Sequence, residues 1–212
     1  MGISMGTKAS GATKSDWFKF KRADYFAAKI ILGVAVVGSV MSGLVQPVVD
    51  AITNAPLPAS YTTKVTSGIE LPRGATHDGL VAVDLVLQNA TMGERFTQAL
   101  PGLVFAGLAI AVGWLLFQLL RSTESGEPFT TRNVRRINTI ALIFGAGGIL
   151  AQYAEGFADS MVTITRRLPT TPNQFFGFSF SLEPLVAMLV ILLLAEVFRR
   201  GVKLRDDVEG LV

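Results

Sequence analysis

The sequence predicts an α-helical integral membrane protein, a bundle of four transmembrane helices with a small extracytoplasmic β-rich cap. Three observations carry that prediction. Four apolar stretches, about 27–49, 100–120, 137–158 and 182–198, interrupt a chain of 212 residues. A hydrocarbon core of about 30 Å asks for about 20 helical residues. Half of the residues are hydrophobic and only 17% are charged, both away from the balance of a soluble domain. Helices apolar on every side need an apolar surround, and so short a chain has too little polar structure to enclose four of them.

Taken in order, residues 1–24 are a basic, disordered cytoplasmic segment whose Gly/Ser/Lys-rich start has no apolar pattern. The membrane domain follows over 25–200. Its first span runs into Pro47-Val48-Val49-Asp50 with no small-residue cleavage pattern, so it stays as a helix and is not a signal peptide. The outer loop 50–99 is too long for a turn. Within it Thr62–Leu71 is rich in β-branched residues, Pro72-Arg73-Gly74 turns the chain, and Leu80–Leu87 alternates through Val81, Val83, Leu85 and Leu87. The second outer connection holds the alternating aromatics Phe175-Phe176-Gly177-Phe178-Ser179-Phe180-Ser181, which suit another strand. Paired, these segments form the cap, with a structural role or a sensing role.

Orientation comes from the cations. Fourteen of the nineteen Lys and Arg residues fall before or just inside span 1, in the inner loop 121–136, or after span 4; five fall in the two outer connections. The positive-inside rule then puts both termini and the middle connection in the cytoplasm of a multi-pass plasma-membrane protein. Small residues line one face of three spans: Ala35, Ser39 and Gly43; Gly102, Ala106, Ala109 and Gly113; Ala141, Gly145 and Gly148 with Gln152. Such stripes let helix backbones approach in lipid, either within one chain or between copies in a homo-oligomer.

No enzyme is expected. The chain has no cysteine, which removes disulfides, thiolate metal sites and a cysteine nucleophile. His77 is the only histidine, so a multi-His metal site is excluded and a triad has one base without a nucleophile motif. The reading therefore names no catalytic residue, no metal site and no cofactor. Glu155 and Asp159 share a helix face with Gln152 and form a candidate polar pocket. Two readings stand for it: proton or cation handling, or a structural role near the outer interface, with pairing to Arg166 or Arg167. Glu196 is read as an interfacial ion-pair partner of Arg199 and Arg200, and Lys29 as snorkelling to the inner headgroups.

The inner loop and the tail 201–212 are the most distinctive pieces. After Gly126 and Pro128 break the chain, Thr130 or Thr131 caps the next helix, and Arg132, Arg135 and Arg136 share a face. That face reads as an anchor for anionic headgroups or as part of a docking surface. The tail turns from basic to acidic and places Leu204, Val208 and Leu211 at helical spacing, which favours a protein partner or docking on the chain's own basic loop. The loop Gly126-x-Pro128-Phe129-x-x-x-Asn133-x-x-Arg136-Ile137 and the tail Glu196-Val197-Phe198-x-x-Gly201-x-x-Leu204-x-x-Asp207-x-Glu209-Gly210-Leu211-Val212 resemble an uncharacterised bacterial multi-pass membrane family, the domain of unknown function numbered 2975. The resemblance extends from span 1 onward and implies a membrane partner of a small helix-turn-helix transcription regulator. It brings no catalytic residues.

The expected function is signalling or regulation. Pro128, Phe129, Arg132, Asn133, Arg135, Arg136, Leu204, Asp207, Val208, Glu209 and Leu211 would dock such a regulator, with the lipid bilayer as the other partner and no direct contact with nucleic acid. The alternatives are a small transporter or toxin-immunity protein acting through Gln152, Glu155 and Asp159, and a structural subunit of a membrane complex.

Overall fold

A computed structural model describes residues 22–64, 80–168 and 181–210. Among the described residues there are four long helices and one hairpin: α1 (Arg22–Ile52), β1 (Leu57–Lys64), β2 (Leu80–Leu87), α2 (Met92–Glu124), α3 (Thr131–Thr165) and α4 (Glu183–Glu209). The basic N-terminal segment up to residue 21, the Pro72-Arg73-Gly74 turn, His77, the aromatics 175–180, Leu211 and Val212 lie outside the described residues.

Two helices carry a widened π turn, and sequence explains both. Pro47 has no amide hydrogen, and its ring crowds the carbonyl four residues earlier. That carbonyl belongs to Gly43, at the centre of the π segment Met41–Val45 in α1, where the wider turn relieves the clash. In α3 the π segment Ile143–Gly147 coincides with the run Gly145-Ala146-Gly147-Gly148, where the backbone is least constrained.

Packing follows chain order: α1 lies on α2, α2 on α3, and α3 on α4. The four helices form a row with α3 as its most buried member, through Ala141, Ala151, Ala158 and Val162. The small-residue stripes set the spacing. A Cβ on Gly43 would fall 2.1 Å from the Gly102 carbonyl oxygen, and one on Gly113 would fall 2.4 Å from Val36. On α3, Gly147 meets Leu108 of α2, while Gly145 and Gly148 meet Met188 and Pro184 of α4. All three stripes are used within the chain, since lipid offers little hydrophobic drive and close backbone contact must supply the attraction.

Three helices, α1, α2 and α3, are long and apolar enough to cross a membrane. The fourth differs from expectation. Its apolar run Pro184–Ala195 is about 18 Å long before Glu196, Arg199 and Arg200 interrupt it. Its start is pinned beside the middle of α3: the Gln152 side chain donates to the Ser181 carbonyl (3.2 Å) and accepts from the Ser181 amide (2.7 Å). α3 therefore continues about 20 Å beyond the level at which α4 begins.

Other boundaries move as well. Helical structure closes most of the inner loop 121–136, leaving Ser125–Thr130 between α2 and α3. The separate tail drawn from residue 201 is an unbroken continuation of α4 to Glu209. The β-rich cap reduces, among the described residues, to one antiparallel hairpin pairing Leu57 with Leu87 through to Lys64 with Leu80. β2 matches its alternation, with Val83, Leu85 and Leu87 half-buried and Asp84 and Val86 exposed. β1 starts earlier than the β-branched run at Thr62, because Leu57 and buried Ala59 are already drawn in. β1 packs on the second half of α3.

Candidate functional site

At the end of the row away from the hairpin, the loop between α2 and α3 is fully specified by local chemistry. α2 ends in a Schellman motif: Gly126 has φ +85°, its amide donates to the Thr123 carbonyl (3.1 Å), and the Glu127 amide donates to that of Ser122 (3.1 Å). Gly126 is needed there because a side chain resists that backbone region. Thr130 caps α3 by accepting from the Asn133 amide at 3.3 Å. Asn133 is completely buried. Its side-chain amide donates to Ser122 Oγ (2.8 Å), the Pro128 carbonyl (3.0 Å) and the Glu127 carbonyl (3.3 Å), and its oxygen accepts from Arg136 Nη1 (2.8 Å). Arg136 reaches the Gln118 carbonyl as well, at 3.3 Å.

The loop is then clamped to α4. The Phe129 ring lies 5.4 Å from that of Phe198, tilted by 46°, and covers Gly201 so closely that a Cβ there would stand 2.5 Å from the ring. The two sequence motifs thus meet physically through Phe129, Phe198 and Gly201. Past the clamp, α4 projects with Leu204 and Val208 exposed to 66% and 62%. Asp207 is exposed too.

The candidate docking residues therefore divide. Arg132, Arg135, Leu204, Asp207 and Val208 are exposed, Phe129 is partly so, and Pro128 and Arg136 are half-buried. Asn133 is enclosed and shapes the loop from within, so no partner can touch its amide. Glu209 ends α4, and Leu211 lies outside the described residues. Glu196 pairs with Arg199 and, at 3.1 Å, with Arg200. Lys29 is held by Glu124 and lies 6.0 Å from the centre of the Phe117 ring.

The polar-pocket residues keep to one face of α3 but differ in their surroundings. Gln152 is occupied by Ser181, Glu155 is exposed and Asp159 is half-buried. Arg166, expected beside Glu155, is bound elsewhere. Its Nε and Nη2 donate to Glu94 Oε1 (2.5 Å) and Oε2 (2.9 Å), and the Glu94 side chain is only 3% exposed. Bidentate geometry of this kind makes a strong, directional pair. Glu94 also closes a capping box with Thr91 at the start of α2: it accepts from the Thr91 amide at 2.7 Å, and Thr91 Oγ1 accepts from the Glu94 amide at 3.3 Å.

The apolar run of α2 begins at Leu100, which leaves Glu94 more than a turn outside it. There the Arg166 hydrogen bonds hold its carboxyl down to about 2, against burial and with help from the Thr91 amide. The adjacent Arg95 is buried as well and donates to the Asp50 and Ala55 carbonyls (2.9 and 2.8 Å) at the end of α1. Glu94 and Arg95 thereby tie the ends of three helices together. Sequence reading missed both, although the Thr91-x-x-Glu94 spacing is a capping-box signal.

A third feature escaped the sequence reading. Between the end of α2 and the start of α3 opens a cleft of about 750 Å³, lined by Trp114 and Phe117 and by Arg121, Arg132 and Arg136.

Among known proteins, no curated protein matches the chain, and no solved structure does. The family model described as a protein of unknown function, DUF2975, matches residues 74–212. That range takes in β2, α2, α3, α4 and both motifs, while α1 precedes it. By that match over about two thirds of its length, the chain belongs to the DUF2975 family of proteins of unknown function.

Proposed function

We propose that this is a four-span plasma-membrane protein with both termini in the cytoplasm, and that its loop and α4 extension dock a cytoplasmic helix-turn-helix transcription regulator and hold it away from DNA. The observation that carries the reading is the unbroken course of α4 from Glu183 to Glu209, which delivers exposed Leu204 and Val208 beyond the Phe129–Phe198 clamp. An amphipathic helix with apolar residues one turn apart is the shape that a partner groove takes. The clamp links that helix to the loop and to α3, so a change in helix packing would alter the face presented.

Cation placement supports the orientation, because the loop end gathers Arg121, Arg132, Arg135, Arg136, Arg199, Arg200, Lys203 and Arg205. As a fourth span, α4 has a short apolar run, and Arg199 and Arg200 at its end can snorkel while the bilayer thins locally.

Mild-detergent affinity purification from the native cell, with quantitative mass spectrometry, tests the proposal. A regulator with a helix-turn-helix domain should be retained by the intact protein and lost both from a chain ending before Leu204 and from a Leu204→Glu/Val208→Glu variant. Recovery of no such regulator, with all forms equally expressed, overturns it and turns attention to flux assays for the transport reading.

A further inference from the structure

We infer that the cleft between the end of α2 and the start of α3 is a binding site for the headgroup of an anionic phospholipid. The inference is independent of the docking proposal and rests on the membrane-type helix composition and on the cleft itself. Three guanidiniums, Arg121, Arg132 and Arg136, and one carboxylate, Glu127, line a cleft of about 750 Å³, a volume within the range of ligand sites. Among the described residues no carboxylate is ion-paired with any of the three. Arg136 spends Nη1 on Asn133 and the Gln118 carbonyl, which fixes its plane and leaves Nε and Nη2 to donate. Glu124, which would otherwise add negative charge nearby, is taken by Lys29. The cleft therefore keeps a net charge of about +2, presented by planar forks that match phosphate oxygens.

The second observation is polarity along the cleft. Trp114, Phe117 and Arg121 follow at spacings of three and four on α2, so one helix face passes from aromatic to cationic within two turns. Trp114 is 63% exposed and Phe117 is 40% exposed, and both belong to the apolar run while Arg121 follows its end. A free phosphate would use only the cationic half. A phospholipid uses both, its phosphate on the arginines and its glycerol and upper acyl chain along the two rings, at the depth where aromatic side chains meet the interface. Arg135, on the same helical turn as Arg132, is not part of the cleft and is exposed; it supplies the control.

Delipidated full-length protein, titrated with palmitoyl-oleoyl phosphatidylglycerol and with its phosphatidylcholine counterpart and read by native mass spectrometry, decides the matter. One phosphatidylglycerol should be retained with a preference of about tenfold or more over phosphatidylcholine. Arg121→Gln/Arg132→Gln should abolish that preference, and Arg135→Gln/Lys203→Gln, with the same change in charge, should keep it. Equal losses in the two double variants would reduce the effect to bulk surface charge and overturn the site. Equal retention of the two lipids by the unaltered protein would do the same. Displacement of phosphatidylglycerol by millimolar inorganic phosphate would reassign the cleft to a free phosphate. Gel-filtration profile and melting temperature, matched among the three proteins, establish that each is folded; should Arg121→Gln/Arg132→Gln fail that check, Arg132→Gln alone, at an exposed position, replaces it and should lower the preference.

Discussion

Glu94 shows how much one side chain can organise at the end of a helix row. Its carboxylate caps α2 and receives Arg166 from α3, while the next residue, Arg95, closes α1. Replacing it by Gln removes the charge from the buried half of a bidentate pair whose Arg166 partner is part-exposed, and the loss should be about 1–3 kcal/mol at pH 7. The pH dependence has a definite sign. Because the folded protein lowers the Glu94 pKa from 4.5 to about 2, its contribution is complete above about pH 4.5 and disappears as the pH falls toward 2. Melting temperatures of the unaltered protein and Glu94→Gln in detergent should therefore differ clearly at pH 7 and converge through that window. A difference that stayed constant down to pH 2 would mean that the pair is not what Glu94 contributes. Half of this arrangement is legible in sequence, since a Thr three residues before a Glu signals a cap. The partner Arg166 is 72 residues away, and nothing local in the chain says which carboxylate it will meet. Asn133 is a similar case: as an Asn between arginines it reads as surface, and only the folded loop shows three carbonyl and hydroxyl oxygens converging on it.

Among the elements, the helix contacts were the most legible part, because small residues at every third or fourth position have one physical use in lipid. Gly43 against Gly102 and Gly113 against Val36 fall on the stripes read from the sequence. Gly43→Ala should cost about 1–3 kcal/mol by overpacking, whereas Gly38→Ala, with nothing within 4 Å of its Cβ, should be neutral or stabilise by up to about 1 kcal/mol. Thermal unfolding of the two variants checks the contrast, and equal effects would deny the close approach of α1 and α2. β2 was legible from its alternation. β1 was placed late, because Leu57-Pro58-Ala59 carries no β-branched residue and gains its strand from pairing. Helix ends were placed too tightly for a general reason: hydropathy marks where lipid could lie, while capping and side-chain ties decide where a helix stops. α2 therefore begins at its Thr91 cap, and α4 passes unbroken through the charges that seemed to end it.

For the molecule as a whole, the row of helices sets two unlike ends apart, a hairpin with the Glu94–Arg166 pair at one and an arginine-lined loop at the other. The absence of cysteine makes their placement directly measurable. With single cysteines introduced by Asp84→Cys in the hairpin and Ser125→Cys in the loop, a membrane-impermeant maleimide should label the first in intact cells and the second only after permeabilisation. The reverse pattern would invert the proposed orientation. Within that frame α4 is the outlying member, resting on α3 and the loop, anchored by Gln152 at one end and Phe129 at the other. Those contacts lie outside the connection that joins it to α3 through the chain. Two co-expressed fragments, divided between Leu168 and Ser181, should then find each other in the bilayer and rebuild the molecule, which makes α4 an interchangeable part that could be exchanged between relatives while the other three helices stay in place.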